Sequence, residues 1–335
     1  MILVTGGTGL VGSHLLFHLL QKEEKVRAIK RFSSSTENVR QIFSFYAKNP
    51  DKLFSRIEWI PGDLLDIHSL IESMQGVDRV YHAAAMVSFD PADKASLMET
   101  NVSGTANVVN ACLEKKVKKL CYVSSIAALG RAGAHGLTTE NEEWDAHEPV
   151  SPYAHSKFEA EREVWRGMAE GLKAVIVNPS IILGPADFSK GSAKMFQTVY
   201  KGLKVYTPGM NGYVDVNDVA RAMILLMESN ISGERFILNG ENITYRKLFQ
   251  MMAMSLGVEA PKYEAGKFLS EMAWRLLKIN AFFTGKKPLI TKQTARTANS
   301  IYRYSSEKFI RATGMSFTPL EETIARTAQI FLHRQ

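Results

Sequence analysis

Tyr153-Ala154-His155-Ser156-Lys157 sets a phenol and an ammonium four residues apart, positions that share one face of a helix. Free tyrosine has a pKa near ~10 and is a poor acid or base at neutral pH. A fixed positive charge close by favours the phenolate, so Lys157 is expected to lower the Tyr153 phenol. Ser125 lies 28 residues earlier, just past the apolar run Lys119–Ser124. A hydroxyl there can hydrogen-bond a carbonyl oxygen while the tyrosine gives or takes the proton. The chemistry this set supports is proton transfer at a substrate oxygen.

A second constellation binds rather than reacts. Thr5-Gly6-Gly7-Thr8-Gly9-Leu10-Val11-Gly12 follows the first apolar run and opens the helical stretch Ser13-His14-Leu15-Leu16-Phe17. Glycines at 6, 9 and 12 let the turn tighten, the backbone approach a pyrophosphate and the helix pack on the strand, while the helix N-terminus attracts phosphate. Gly6, Thr8, Gly9, Leu10, Val11 and Gly12 are therefore candidate cofactor residues. The second run ends Ala28-Ile29-Lys30-Arg31 with two bases and no acid. An NAD site usually carries Asp or Glu there, whereas a 2′-phosphate needs positive charge, so NADP is preferred, with NAD as the alternative. Ala83, Ala84 and Ala85, after His82, leave room for a flat cofactor, and His82 itself reads as a satisfied strand-end histidine.

Those residues need a frame. Runs at Ile2–Thr5, Val26–Ile29, Ile57–Ile60, Arg79–His82, Lys119–Ser124 and Ala174–Asn178 alternate with helical stretches at Gly12–Lys22, Asn101–Glu114 and Tyr153–Glu170. Such alternation implies an α/β fold with a doubly wound parallel sheet covered on both faces. Val214–Val219 and Phe236–Asn239 read as returns to that sheet. Residues 1–183 and 213–239 are assigned to a Rossmann domain, and 184–212 and 240–335 to a smaller substrate lobe. Lys267–Phe283 has the spacing of an amphipathic helix.

Composition narrows the class. The chain has 335 residues, 45% hydrophobic and 22% charged, which excludes a disordered, charge-rich chain. Two cysteines, Cys112 and Cys121, rule out a disulfide framework or a multi-cysteine metal site, and no metal is expected. No apolar run approaches the ~20 residues of a membrane span, and the chain opens Met1-Ile2-Leu3-Val4-Thr5 without a basic leader or cleavage site, which points to a cytoplasmic protein. The net charge of +7 is local: 13 Lys/Arg against 5 Asp/Glu fall from Lys262 onward. That excess suits an anionic small molecule or surface better than nucleic acid, because no reading helix accompanies it.

With these motifs in view, the chain resembles the extended short-chain dehydrogenases/reductases, the NAD(P)-dependent epimerase/dehydratase superfamily. The resemblance rests on Thr5 to Gly12, Gly62-Asp63-Leu64, Asn101-Val102-Ser103-Gly104-Thr105, Tyr122-Val123-Ser124-Ser125, Tyr153 to Lys157, and Asn178-Pro179 to Gly184-Pro185. It implies Ser125, rather than Ser124, as the active serine, because Ser125 stands five residues before Gly130. It further implies Tyr153 as acid/base, Lys157 as its tuner and a nicotinamide-ribose ligand, and Asn101 as a supporting residue. Asp63 and Leu64 would flank the adenine, Pro179 would border the cofactor, and Arg31 would meet a 2′-phosphate. Leu129-Gly130 and Asn178-Pro179 depart from the Tyr-Gly and Arg-Pro usual in nucleotide-sugar enzymes. The stretches Val26 to Arg31 and His82 to Pro91 look closest to the dihydroflavonol reductase and 3β-hydroxysteroid dehydrogenase-like branch. A homodimer packing helices Ser96–Glu114 and Tyr153–Glu170 is what the family implies.

The leading reading is an NADP-dependent oxidoreductase that reduces an aldehyde or ketone, its substrate a small carbonyl or sugar-like molecule. An epimerase/dehydratase with tightly bound NAD, and a dinucleotide sensor without chemistry, are the alternatives.

Overall fold

The structure, a computed structural model, describes residues 1–130, 132, 136–145, 147, 149–267, 269, 271–272, 274–275 and 297–335. Its strands are β1 (Ile2–Thr5), β2 (Val26–Lys30), β3 (Ile57–Pro61), β4 (Arg79–His82), β5 (Lys119–Val123), β6 (Ala174–Pro179), β7 (Ile181–Leu183), β8 (Val205–Tyr206), β9 (Met210–Asp215), β10 (Glu234–Leu238), β11 (Glu241–Thr244) and β12 (Tyr263–Glu264). The helices that matter below are α1 (Leu10–Leu19), α2 (Glu37–Tyr46), α3 (Pro50–Phe54), α4 (Ile67–Ser73), α5 (Lys94–Leu97), α6 (Gly104–Glu114), α7 (Pro152–Ala169), α8 (Lys194–Tyr200), α9 (Val216–Glu228) and α10 (Tyr245–Leu256).

The main sheet has seven strands in the order β10-β6-β5-β4-β1-β2-β3, every pair parallel. Strands buried on both faces must be apolar throughout, and β6, with Ala174, Val175, Ile176 and Val177 all without exposure, meets that demand. Each of the two valines and the isoleucine contributes about 1.5–3 kcal/mol on burial. One face packs against Leu15, Leu16 and Leu19 of α1 and Val219 and Met223 of α9. The other packs against Leu70 of α4, Val108 and Val109 of α6, and Ala160 and Val164 of α7. The expected doubly wound sheet is therefore present.

Strand order reverses between β1 and β4. In open parallel sheets a crevice opens outside the carboxyl ends of the strands at such a reversal, and ligands enter it there. The glycine loop after β1 and the alanines after β4 flank that crevice.

A second core, with Leu183, Phe196, Tyr213, Leu248, Met252, Ile324 and Phe331, lies beneath a three-stranded sheet of order β11-β9-β7. Here the expectation for Val214–Val219 needs correcting. The strand ends at Asp215 and belongs to this smaller sheet, and α9 starts at Val216 because the Asp215 carboxylate caps it by accepting the Asn217 N–H. Phe236–Asn239 does largely return, as β10. The amphipathic segment Lys267–Phe283 lies mostly outside the described residues.

The loop geometry is testable. Gly6 has φ +71°, and a Cβ there would sit 2.5 Å from the Ala84 nitrogen; Gly76 has φ +70° with open space around it. Gly76→Ala is expected to cost only the left-handed penalty, about 1–2 kcal/mol. Gly6→Ala carries that penalty plus a backbone clash, so urea unfolding is expected to show the larger loss. Equal losses would mean that β1 and β4 do not close on each other as described.

Candidate active site

The loop is shaped by close approach. A Cβ on Gly12 would fall 2.1 Å from the Gly6 carbonyl oxygen, which excludes any side chain. The Gly9 N–H donates to that same oxygen at 2.9 Å, closing the turn onto α1. No side chain caps α1 and no acid stands in its first turn, so the partial positive charge of its N-terminus faces the crevice unanswered. Such a cradle fits a pyrophosphate, with Thr8, Leu10 and Val11 beside it.

Other expected cofactor residues lie at or just after the carboxyl ends of the main-sheet strands. Lys30 is half-buried at the end of β2 and Arg31 is exposed. Phe32 beside it is 88% exposed, an apolar ring at the crevice edge that the sequence reading passed over. The Asp63 carboxylate accepts the Leu65 N–H at 3.0 Å, and the Leu64 carbonyl accepts from Asn107 at 2.9 Å. Ala83 and Ala84 are held against β1 through Thr5, and Pro179 is buried where β6 pairs with β10.

Ser151 starts α7 by accepting the Ala154 N–H, which places Tyr153 in the first turn and Lys157 one turn further. The Tyr153 ring lies edge-on to Phe89 at 5.7 Å. Burial pushes its phenol above the ordinary value, and a hydrogen bond with the Ser125 hydroxyl offsets part of that rise. Ser125 follows β5 with an extended backbone, and its hydroxyl also accepts the Ala127 N–H at 3.1 Å. Serine and tyrosine thus meet as expected.

Lys157 behaves differently from expectation. Its Nζ, 1% exposed with its residue, donates to the Tyr122 hydroxyl and to the Val123 carbonyl, each at 2.8 Å. Two of its three N–H bonds are spent on β5, and the net displacement of Tyr153 is upward rather than downward. Burial lowers Lys157 to about 7, with the Glu161 carboxylate holding it up against that cost. Asn101 is buried in a π-helical turn between α5 and α6. It donates to Ser156 Oγ at 2.9 Å and pairs with both backbone groups of Met86, so it fastens the Met86 loop to α7.

One residue at this edge was missed. Glu161 is 2% exposed and takes four donors: Ser124 at 2.6 Å, Asn178 at 2.8 Å, Arg235 at 3.1 Å and Trp165 at 3.3 Å. Asn178 also donates to the Ser125 carbonyl at 3.0 Å, so the carboxylate fixes the serine's backbone through one intermediary. Its signal in the sequence is the four-residue step from Lys157 to Glu161 to Trp165 along one helix face.

The chain belongs to the NAD dependent epimerase/dehydratase family, which matches residues 2–239. It is an NAD(P)-dependent oxidoreductase of the extended short-chain dehydrogenase type. Sterol demethylase protein B of Methylococcus capsulatus is 29% identical, over 99% of this chain and 98% of its own. Cinnamoyl-CoA reductase 1 of Petunia hybrida is 27% identical, over 98% of this chain and 91% of its own. A solved structure described as gox2253 superposes with a TM-score of 0.84 at 30% identity, covering 100% of this chain and 98% of that one. Among the described residues no helix is long and apolar enough to cross a membrane.

The buried lysine sets a pH dependence of stability. Its pKa falls from 10.5 unfolded to about 7 folded, so between those values the unfolded chain holds a proton that the folded one lacks. Stability contributed here is therefore lost toward low pH and rises as pH climbs from about 7. Burial raises Cys112 and Cys121, which acts in the opposite sense above the ordinary thiol value of 9.0. Between about pH 7 and 8.5 the wild type is expected to gain stability relative to Lys157→Met, by roughly 1–2 kcal/mol at 1.36 kcal/mol per unit. Parallel stability curves for the two proteins would contradict the lowered pKa.

Proposed function

We propose that the protein reduces the carbonyl of an aldehyde or ketone with NADPH, Tyr153 donating the proton and Ser125 orienting the oxygen. The observation that carries this reading is the Tyr153 phenol, held by the Ser125 hydroxyl and raised by burial. A phenol above its ordinary value keeps its proton at neutral pH, which is the form a reduction needs. Glycines 6, 9 and 12, the α1 N-terminus, Asp63, Leu64 and the alanines after β4 would hold the dinucleotide, which supplies the hydride when bound. As Tyr153 releases its proton, Ser125 stabilises the developing charge by hydrogen bonding. The Lys157 ammonium supports the same strand edge through Tyr122, whose pKa responds to Tyr153.

Lys30 and Arg31 support NADPH over NADH, since two bases and no acid meet a 2′-phosphate. Val87 and Phe89 are 63% and 46% exposed, and Phe89 touches Tyr153. An apolar rim beside the proton donor favours a carbonyl flanked by apolar groups over a sugar. The cinnamoyl-CoA reductase among the relatives is in keeping with this. We further read the chain as a cytoplasmic homodimer packed through α6 and α7.

NADPH oxidation is to be followed against short aldehydes, aromatic ketones, acyl-CoA esters and sterols. Tyr153→Phe is expected to bind NADPH with unchanged affinity while kcat on the best substrate falls about 10²–10⁴-fold. Co-purified NAD with no consumption of NADPH on any carbonyl would overturn the reductase reading in favour of internal hydride transfer.

The cofactor preference is separable. Arg31→Ala is expected to raise the Kd for NADPH about tenfold or more, the loss of a charge-assisted pair with phosphate, and to leave NADH binding unchanged. Equal weakening for both dinucleotides would show that Arg31 does not meet a 2′-phosphate.

A further inference from the structure

Beneath the crevice runs a line of buried polar side chains that proton donation by Tyr153 leaves unexplained. Thr5 closes β1, His82 closes β4, Thr105 stands in the first turn of α6, Tyr122 lies in β5 and Lys157 on α7. None is more than 1% exposed. Thr5 Oγ1 is 2.6 Å from His82 Nδ1, and His82 Nε2 is 3.0 Å from Thr105 Oγ1. Thr105 is the hydrogen-bond partner that draws the Tyr122 phenol back down, while the Tyr122 hydroxyl receives the Lys157 N–H at 2.8 Å. The imidazole also packs on the Tyr122 ring at 5.3 Å.

The direction of every bond in such a line follows from its charged end. An ammonium only donates, so the Tyr122 oxygen accepts from Lys157 and its own hydrogen turns to Thr105. Thr105 then donates to His82 Nε2, which leaves the ring hydrogen on Nδ1 to meet Thr5. A neutral amine has a lone pair and can accept from Tyr122, which reverses each bond and places the ring hydrogen on Nε2. One proton leaves the line in this change: Lys157 passes one to Tyr122, Tyr122 one to Thr105, Thr105 one to His82 Nε2, and His82 gives its Nδ1 hydrogen to Thr5, which releases one at the crevice end, so that the three hydroxyls and the neutral ring each keep their count.

We propose that His82 is a positioning residue for Lys157, its imidazole changing tautomer through Thr105 and Tyr122 whenever Lys157 gains or loses its proton. Burial, with the Lys157 charge, holds His82 down to about 3, so the ring stays neutral across the range in which Lys157 titrates and only its tautomer is free to change. Around Lys157 the groups to reckon with are Glu161 and Tyr153 on its own helix, Tyr122 on β5 and His82 on β4. Glu161 is the charged one that acts on it among the described residues. The other end of the line touches the dinucleotide loop, because Thr5 Oγ1 also accepts the Ala84 N–H at 3.4 Å, directly against Gly6. The ionisation of Lys157 is thereby joined to the strand ends that carry the loop, whichever carbonyl is reduced.

The test uses protein labelled with ¹⁵N in histidine and lysine, titrated by NMR from about pH 5.5 to 9 without substrate. His82 is expected to carry its hydrogen on Nδ1 at the acid end and on Nε2 at the alkaline end, with the midpoint of the Lys157 ammonium signal. In Thr105→Val the tautomer is expected to stay fixed while Lys157 still titrates, and Thr105→Ser is expected to restore the change. If Thr105→Val does not fold, the wild-type and Thr105→Ser titrations decide the matter alone. A His82 held in one tautomer while Lys157 titrates, or one that switches unaltered in Thr105→Val, overturns the proposal.

Discussion

An ammonium and a carboxylate buried one turn apart on α7 dictate how the carboxyl edge of the main sheet is built. Lys157 and Glu161 are 1% and 2% exposed, and taking such charges from water costs several kcal/mol each unless every donor and acceptor is answered. The answers come from three strands. Tyr122 and Val123 of β5 receive the lysine, while Ser124 beyond β5, Asn178 of β6 and Arg235 of β10 donate to the glutamate. Removing one partner would strand the other, so helix and strands are locked in a single register. Tyr153 and Ser125 are carried to their meeting point by that lock rather than by any bond strong enough to bring them together alone.

The frame was legible because local physics specifies it. β1 and β4 have the bounds that their apolar runs predict, and the glycine loop reads as a cradle because a Cβ on Gly12 would fall 2.1 Å from the Gly6 carbonyl oxygen, so only glycine fits there. Val214–Val219 was misread for an equally local reason. Its apolar alternation suits a strand, yet Asp215 caps a helix within it, and the carboxylate prevails because it also receives Thr323 and Arg326 from far along the chain. Capping by a side chain whose other partners lie more than a hundred residues away leaves no periodic trace.

The hydrogen bonds made by the residues singled out in the sequence were not legible there. Spacing put Tyr153 and Lys157 on one face, but the ammonium turned to Tyr122, a residue quoted only as part of the strand leading to the serines. Strand alternation held the clue: continued one residue past β5 it puts Ser124 on the side of Tyr122, and Lys157 and Glu161 share a face of α7, so the two rows meet pair by pair. What the alternation could not supply is the facing of one row to the other, which depends on the right-handed crossover and on helix packing over the sheet.

Burial also divides the labour between chemistry and choice. Lys157, Glu161, Asn101 and Asn178 have little or no exposure and are tied to several elements at once, so a change at any of them strands buried polar groups and costs stability as well as activity. Arg31, Phe32, Val87 and Phe89 lie on exposed loops at the rim of the crevice, where a substitution moves the fold by roughly 0.5 kcal/mol or less. Substitutions at those exposed positions can change the surface of the crevice while the buried network beneath stays the same. The constraint is unequal, because the rim makes few contacts beyond the edge of Phe89 against Tyr153, whereas the buried charges tie α7 to three strands.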